Sequence, residues 1–423
     1  MENKRNYEEI LDYVMGLQIV DTHEHLPAYE HLRDQEADVL TEYLQHYLSS
    51  DFMSAGLSKP DYYRVLDRGL PLRERWDIVA PYWTVAKNTG YGRSIAIAVK
   101  DLYDIDRISD ETIEELNRRF QATLRPGTFA LVLKDKCKIS ISILDSALDC
   151  DKTLFRSVYR LDRFVQPRNQ ADIAAVEKDT GIRICSFDDW LEACERDLEN
   201  ALRAGAVAVK SALCYQRPLK FERVSKSRAE EGFFEVFRTR NYPDWESNFI
   251  CVSREFEDYM MHFILRLLNR RNLVLQIHTG LLEGQGNRLS YTDPTLMSDL
   301  FLEYPDIKFD IFHISYPYHY ELAALAKMFP NVFINMCWTH IVSPGGCVQA
   351  ITEFLDTVPY SKISAFGGDY KFVDGVYGHQ KIARQNVSKA LAIKVEDGVF
   401  DVEEAKVIAR ALLVDNPTRL LGL

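Results

Sequence analysis

Two histidines stand two residues apart in the stretch Gln18-Ile19-Val20-Asp21-Thr22-His23-Glu24-His25-Leu26-Pro27. The apolar run of Leu17, Ile19 and Val20 reads as a buried strand, and Pro27, with no N–H to donate, stops the ladder from continuing. On an extended chain, residues two apart point to the same side, so His23 and His25 present two imidazoles to one point at the strand's end. Two neutral imidazoles on a rigid element suit a divalent transition metal. The alternative is two ordinary polar residues at a strand end. What decides between them is whether other strands end in residues of the same kind.

Four more do. The apolar run 206–212 carries Lys210, 273–278 ends in His278, 310–314 contains His313, and 363–369 ends in Asp369. All are metal-ligand or acid/base types. They are far apart in the chain, so they act together only if the strands that carry them converge.

The elements that must position them alternate along the chain. A leading helix is expected at 4–16 and the first strand at 17–22. After Pro27 the apolar spacing turns helical, and 28–130 reads as a helical insertion, with Ser109-Asp110-Glu111 as a helix start inside it. The second strand is expected at 137–145 and a weaker third at 159–165. A helix over 187–204, capped by Ser186 and closed by Gly205, leads to the fourth strand at 206–212. A polar excursion at 215–245 and a helix at 255–269 precede the fifth strand, 273–278. The sixth lies at 310–314, the seventh at 332–337 and the eighth at 363–369. Helical runs at 295–303, 320–329, 347–357, 380–395 and 402–413 separate or follow them. Repeated strand-then-helix units with almost continuously apolar strands mean a parallel sheet covered on both faces. Eight such strands close a (β/α)8 TIM barrel, in which catalytic groups sit at the C-terminal strand ends. The competing doubly wound sheet wants a glycine-rich turn after its first strand, and Asp21-Thr22-His23-Glu24-His25 is nothing like one. A single barrel domain spanning 1–423 is expected.

Composition agrees with a globular enzyme and excludes other classes. The 423 residues are 47% hydrophobic and 27% charged, with a formal charge of -12 and a pI near 5.4. An acidic chain without a Lys/Arg cluster is not a general nucleic-acid binder. The eight cysteines are scattered with no C-x-x-C pair, which is no disulfide scaffold. No apolar run approaches the roughly 20 residues needed to cross a bilayer. A cytoplasmic protein with a small-molecule substrate and no nucleic-acid or membrane partner is expected, as a homo-oligomer.

These pieces resemble the amidohydrolase superfamily. The likeness lies in Val20-Asp21-Thr22-His23-Glu24-His25, Val209-Lys210-Ser211, Gln276-Ile277-His278-Thr279-Gly280, Phe312-His313-Ile314-Ser315-Tyr316-Pro317 and Gly367-Gly368-Asp369-Tyr370. More narrowly, 210–215, 278–280 and 313–318 resemble the amidohydrolase-related branch (amidohydrolase 2), which includes barrels fused to glutamine synthetase. The long insertion after the first strand is similar to that of uronate isomerases. The resemblance implies that His23, His25, His278 and Asp369 hold one divalent metal, zinc by family habit. It implies that Lys210, as a carboxylated bridge, and His313 serve a second ion where there are two. Lys210 could equally be a substrate-binding cation. The implied reaction is hydrolysis: metal-bound hydroxide attacks an amide, ester or lactone of a small carboxylate-bearing substrate, with Asp369, His313 and Lys210 as catalytic groups. A decarboxylase or uronate-isomerase-like reaction on the same barrel is the alternative, and a non-catalytic scaffold a third. Arg217, Arg288 and Lys371 lie in loops after catalytic strands, where a cation can clamp a carboxylate. Trp338, Tyr316, Tyr318 and Tyr370 are candidates to line the mouth. His340 and His379 are expected in structural roles. Glu24 is expected to support the ligands from the opposite face.

Overall fold

A computed structural model describes residues 2–145, 147–238 and 252–423. Its eight strands are β1 (Ile19–Glu24), β2 (Ile139–Asp145), β3 (Phe155–Arg160), β4 (Ala206–Ser211), β5 (Val274–Ile277), β6 (Lys308–Ile311), β7 (Val332–Asn335) and β8 (Ile363–Ser364). They pair in chain order, every pair parallel. The chain leaving β8 closes the ring against β1. Thr22 N–H donates to Phe366 O at 3.2 Å, Asp369 N–H to His23 O at 2.8 Å, and His25 N–H to Tyr370 O at 3.0 Å. The protein is a (β/α)8 barrel, as its strand count implies.

Side-chain alternation shows how the barrel supports a site at one end. Asp145, Arg160, Lys210 and Gln276 occupy neighbouring strands near their C-terminal ends. Two residues earlier, on the same face of each strand, stand Ile143, Val158, Ala208 and Val274. These four form an apolar cluster with Leu420 and Leu421 from the chain's last helix. A polar layer thus rests on an apolar one, and the larger core lies between the sheet and the surrounding helices.

Two sequence expectations need correction. The third strand is Phe155–Arg160 rather than 159–165, and Asp162–Val165 is a short helix. The more apolar residues 161–165 sit between barrel and helices instead. The helix expected at 380–395 begins already at Val373 and runs to Glu396. Of the excursion at 215–245, Lys226–Phe233 and Glu235–Arg238 are helical, and 239–245 lies outside the described residues. Between β1 and β2 the chain is mostly helical, with helices at Val39–Leu44, Leu48–Ser54, Lys59–Leu66, Leu72–Ala86, Gly90–Tyr103 and Ile113–Gln121. No helix among the described residues is long and apolar enough to cross a membrane.

His340 illustrates what holds the outer layer to β8. Its Nε2–H donates to Ala365 O at 2.8 Å, and its Nδ1 pairs with the Asn386 amide at 3.3 Å. Burial pushes its pKa down to about 4. An unfolded histidine titrates near 6.5, so between these values the folded state binds fewer protons, and stability falls as pH drops through that window. His340→Gln removes this titration. In urea denaturation at about pH 7 and about pH 4.5, the stability gap between wild type and variant is expected to narrow by ~2 kcal/mol at the lower pH. A gap that does not change with pH would show that His340 is not buried neutral.

Candidate metal centre

β1 delivers His23 and His25 to the C-terminal mouth of the barrel, their rings edge-on at 4.9 Å between centroids. The turn after β8 brings Asp369 to them. Its Oδ1 lies 3.1 Å from His25 Nε2 and 3.6 Å from His23 Nε2, and its Oδ2 lies 3.8 Å from His313 Nε2. From the end of β2, Asp145 Oδ2 stands 3.9 Å from His23 Nε2 and 4.0 Å from His25 Nδ1. Donor atoms of His23, His25 and Asp145 all fall within 4.8 Å of one another.

His278 and His313 settle whether a cation fits here. The carbonyl of Leu281 can only accept, so the His278 nitrogen facing it at 3.1 Å, Nε2, carries the proton. By the same reasoning His313 Nδ1, 2.9 Å from Cys337 O, carries its proton. The remaining nitrogens, His278 Nδ1 and His313 Nε2, each keep a lone pair and face each other at 3.1 Å. Two lone pairs that close repel unless a cation lies between them. Tetrahedral zinc with Zn–N near 2.0–2.1 Å sets its ligand nitrogens about 3.3 Å apart. The backbone carbonyls thus hold both rings in the tautomer a metal needs.

Electrostatics match the donor geometry. Burial drives His23 and His278 well below the usual histidine range and His313 down to about 4, so all three stay unprotonated and able to donate. For Asp369 burial alone would raise the pKa, but the hydrogen bond from His25 and the neighbouring imidazoles of His23, His25 and His313 outweigh it and hold the carboxyl well below its ordinary value.

The backbone around the donors is unusual. His313, Ile314, Trp338 and Asp369 adopt left-handed φ values of 63°, 44°, 66° and 59°, a region non-glycine residues rarely occupy. Hydrogen bonds pin the Asp369 turn from several sides. Asp21 Oδ1 accepts from Gly368 N–H at 2.9 Å, Glu24 Oε2 from Tyr370 N–H at 2.7 Å, and the Tyr47 hydroxyl donates to Asp369 O at 2.7 Å. His379 Nδ1 donates to Gly368 O at 3.0 Å. Glu24 and His379 therefore brace the turn from behind. A Cβ on Gly368 would come within 1.7 Å of Glu24 Oε1. Gly368→Ala is expected to push Glu24 aside and weaken metal binding roughly 10- to 100-fold, the scale of lost outer hydrogen bonds at metal ligands. Competition with a chromogenic chelator measures it, and an unchanged affinity would mean the turn does not position Asp369.

Above the donors lies a cavity of about 860 Å³. His46, Tyr47, Tyr159, Arg160, Tyr215, Glu283, Trp338 and Lys371 line it with the metal donors. His46 and Tyr47 come from the insertion, which therefore reaches the mouth. Tyr47 stacks against both Trp338, at 4.7 Å, and Tyr91, at 5.2 Å, contacts of about 0.5–1.5 kcal/mol each. Arg160 clamps Asp145 through two hydrogen bonds.

Of the seven residues expected to hold the substrate or line the mouth, Arg217, Arg288, Tyr316, Tyr318 and Tyr370 do not line the cavity. Arg217 is fully buried against Glu257 and Asp258 and over the Phe221 ring, where a buried guanidinium must find its counter-charges. Arg288 bonds the Tyr291 hydroxyl away from the cavity. Tyr316 packs near His319, and its backbone carbonyl accepts from Leu281 N–H. Tyr370 is buried behind the mouth, its ring near His46 and Tyr47 and its hydroxyl toward Ser94. Trp338 and Lys371 line the cavity. Lys210 lies beneath it with its Nζ 3.3 Å over the Phe312 ring, and burial lowers its pKa to about 8. Asp145, Arg160, His46 and Cys337 are site residues that sequence reasoning did not single out. Asp145 was detectable, because it ends a strand correctly placed.

Residues 238–423 match the family model described as Amidohydrolase. Over that stretch the chain is similar to the amidohydrolases. It is also 26% identical over 223 residues to Protein fluG of Emericella nidulans, and 26% identical over 117 residues to a uronate isomerase of Caldanaerobacter subterraneus. These alignments take in 51% and 28% of this chain. They cover 26% and 23% of those proteins, so the chain matches about a quarter of the length of these curated relatives. The crystal structure of a uronate isomerase from Thermotoga maritima superposes with a TM-score of 0.81 at 18% identity, covering 99% of this chain and 97% of that one. The barrel carries groups suited to a metal ion at its strand ends.

Proposed function

We propose that the protein is a zinc-dependent isomerase of a uronate-type sugar acid, interconverting its aldose and ketose forms. The observation that carries this reading is the cavity above the metal donors. It is large, and imidazole, phenol, carboxylate and cationic groups stand around its wall. A six-carbon polyhydroxy acid needs such partners along its length and a cation for its carboxylate, whereas a simple amide or lactone needs few. The matched segment of a uronate isomerase supports the same reading.

His23, His25, Asp145 and Asp369 would hold an ion, with His278 and the facing His313 completing the donor set. When bound, it polarises a substrate oxygen and acidifies the neighbouring C–H. Asp369, ionised at neutral pH, accepts the proton from the hydroxyl-bearing carbon and returns it to the former carbonyl carbon. The hydroxyl proton passes to the former carbonyl oxygen, so the product is an isomer and no co-reactant is used. Burial lowers the His46 pKa to about 3, so its imidazole is neutral, and its Nδ1 has no protein partner. Lys371 and Arg160, both on the cavity wall, hold the carboxylate.

Proton NMR of the zinc-loaded protein with a panel of hexuronates in D₂O, D-glucuronate first, tests the proposal. Ketose signals are expected, with deuterium at the receiving carbon only to the extent that the proton held by Asp369 exchanges with solvent before its return. The hydrolase implied by the sequence is the second reading, favoured by the buried Lys210 ammonium, whose Nζ has no hydrogen-bond partner and could steady an oxyanion. No ketose from any hexuronate, with cleavage of amides or lactones instead, would overturn the isomerase in its favour.

A further inference from the structure

Asp369 has two faces. Its Oδ1 belongs to the His23–His25 side, and its Oδ2 turns toward His313. On that second side stands a thiol. Donor atoms of His313, Cys337 and Asp369 lie within 4.8 Å of one another, all three residues buried. Cys337 is held there from both ends. Its N–H donates to Asn335 Oδ1 at 3.0 Å, and its carbonyl accepts the Nδ1–H of His313, the bond that leaves His313 Nε2 free to donate. Gly367 leaves space for the side chain, since a Cβ there would come within 2.8 Å of Cys337 Cβ and 3.0 Å of its Sγ. The lone pair of His278 Nδ1, 3.1 Å from His313 Nε2, adds a donor at the edge of the same group.

We infer that Cys337 is a metal ligand, forming with His313 and Asp369 a second cation site that shares Asp369 with the His23–His25–Asp145 group. A ligating thiol gives its proton to solvent and binds as thiolate. One sulfur among nitrogen and oxygen donors selects a borderline ion such as zinc or cobalt(II) over magnesium or manganese. At the first group, with no sulfur, selectivity is weaker. The inference rests on the metal centre proposed above, and its test separates the two.

X-ray absorption on wild-type protein fully loaded with zinc needs no variant. A sulfur scatterer at about 2.3 Å is expected, and a spectrum with nitrogen and oxygen neighbours only would overturn the assignment. Cobalt(II) titration of chelator-stripped protein gives a second reading. A near-ultraviolet thiolate-to-cobalt charge-transfer band should grow in as the second ion binds. In Cys337→Ser that band should vanish and ion content should fall from two to one, with the His23–His25 ion retained. A band that persists in Cys337→Ser would overturn the inference. Protein that takes up no ion at all would overturn the metal centre itself, not just the role of Cys337.

Discussion

A His23→Ala/His25→Ala double variant is expected to fold normally and to lose turnover by roughly a thousand-fold, with the ion of the first donor group gone. Lewis-acid assistance from a bound ion is worth several kcal/mol, and each 1.36 kcal/mol is tenfold in rate. The fold should survive because its strands do not depend on the ion. The layer of Ile143, Val158, Ala208 and Val274 lies beneath the site, and β1 keeps its backbone pairing to β2 and to the turn after β8. Losing both imidazoles leaves Asp369 Oδ1 without its two nearest partners, at 3.1 and 3.6 Å. The Asp145–Arg160 pair remains. Circular dichroism, ion content by mass spectrometry and kcat together check the prediction. Full ion content with normal turnover would refute the assignment of His23 and His25.

The parts of the site legible in the sequence are those governed by strand periodicity. His23 and His25 could be placed because residues two apart on a strand share a face. Lys210, His278 and Asp369 could be grouped because a closed barrel gathers its strand ends, and the structure brings them to one mouth. What was not legible depends on tertiary contacts. Phe155–Arg160 is less apolar than the segment after it, so the third strand was displaced and its C-terminal end was read at Val165 instead of Arg160. His46 and Tyr47 sit in the turn between the insertion helices Val39–Leu44 and Leu48–Ser54, and helical spacing says nothing of which part of the insertion meets the barrel. Arg217 reads in sequence as a free cation in a loop, and only the fold shows Glu257 and Asp258 beside it. Cys337 was one scattered cysteine among eight until β7 set it beside His313. β8 is only two residues long, because the chain turns at Gly367 and Gly368 to present Asp369.

Asp369→Asn separates the two duties given to that carboxylate. The amide keeps the shape of the side chain and one oxygen that can lie where Oδ1 now faces His25 Nε2 at 3.1 Å. It cannot take up a proton. If Asp369 moves the proton between substrate carbons, kcat should fall about 100-fold or more, the scale of a lost general acid/base. Ion content at the His23–His25–Asp145 group should be largely kept. The pH profile gives an independent check. The imidazoles of His25, His23 and His313 hold the carboxyl well below its ordinary value against the opposing effect of burial. A carboxyl with a depressed pKa stays ionised as pH falls through the usual carboxylate range, so Asp369 should contribute no acid limb to wild-type kcat above about pH 4. Any limb nearer neutrality must then belong to another group and should persist in the residual activity of the variant. Near-wild-type kcat in Asp369→Asn would remove the proton-transfer role and leave Asp369 as a ligand alone.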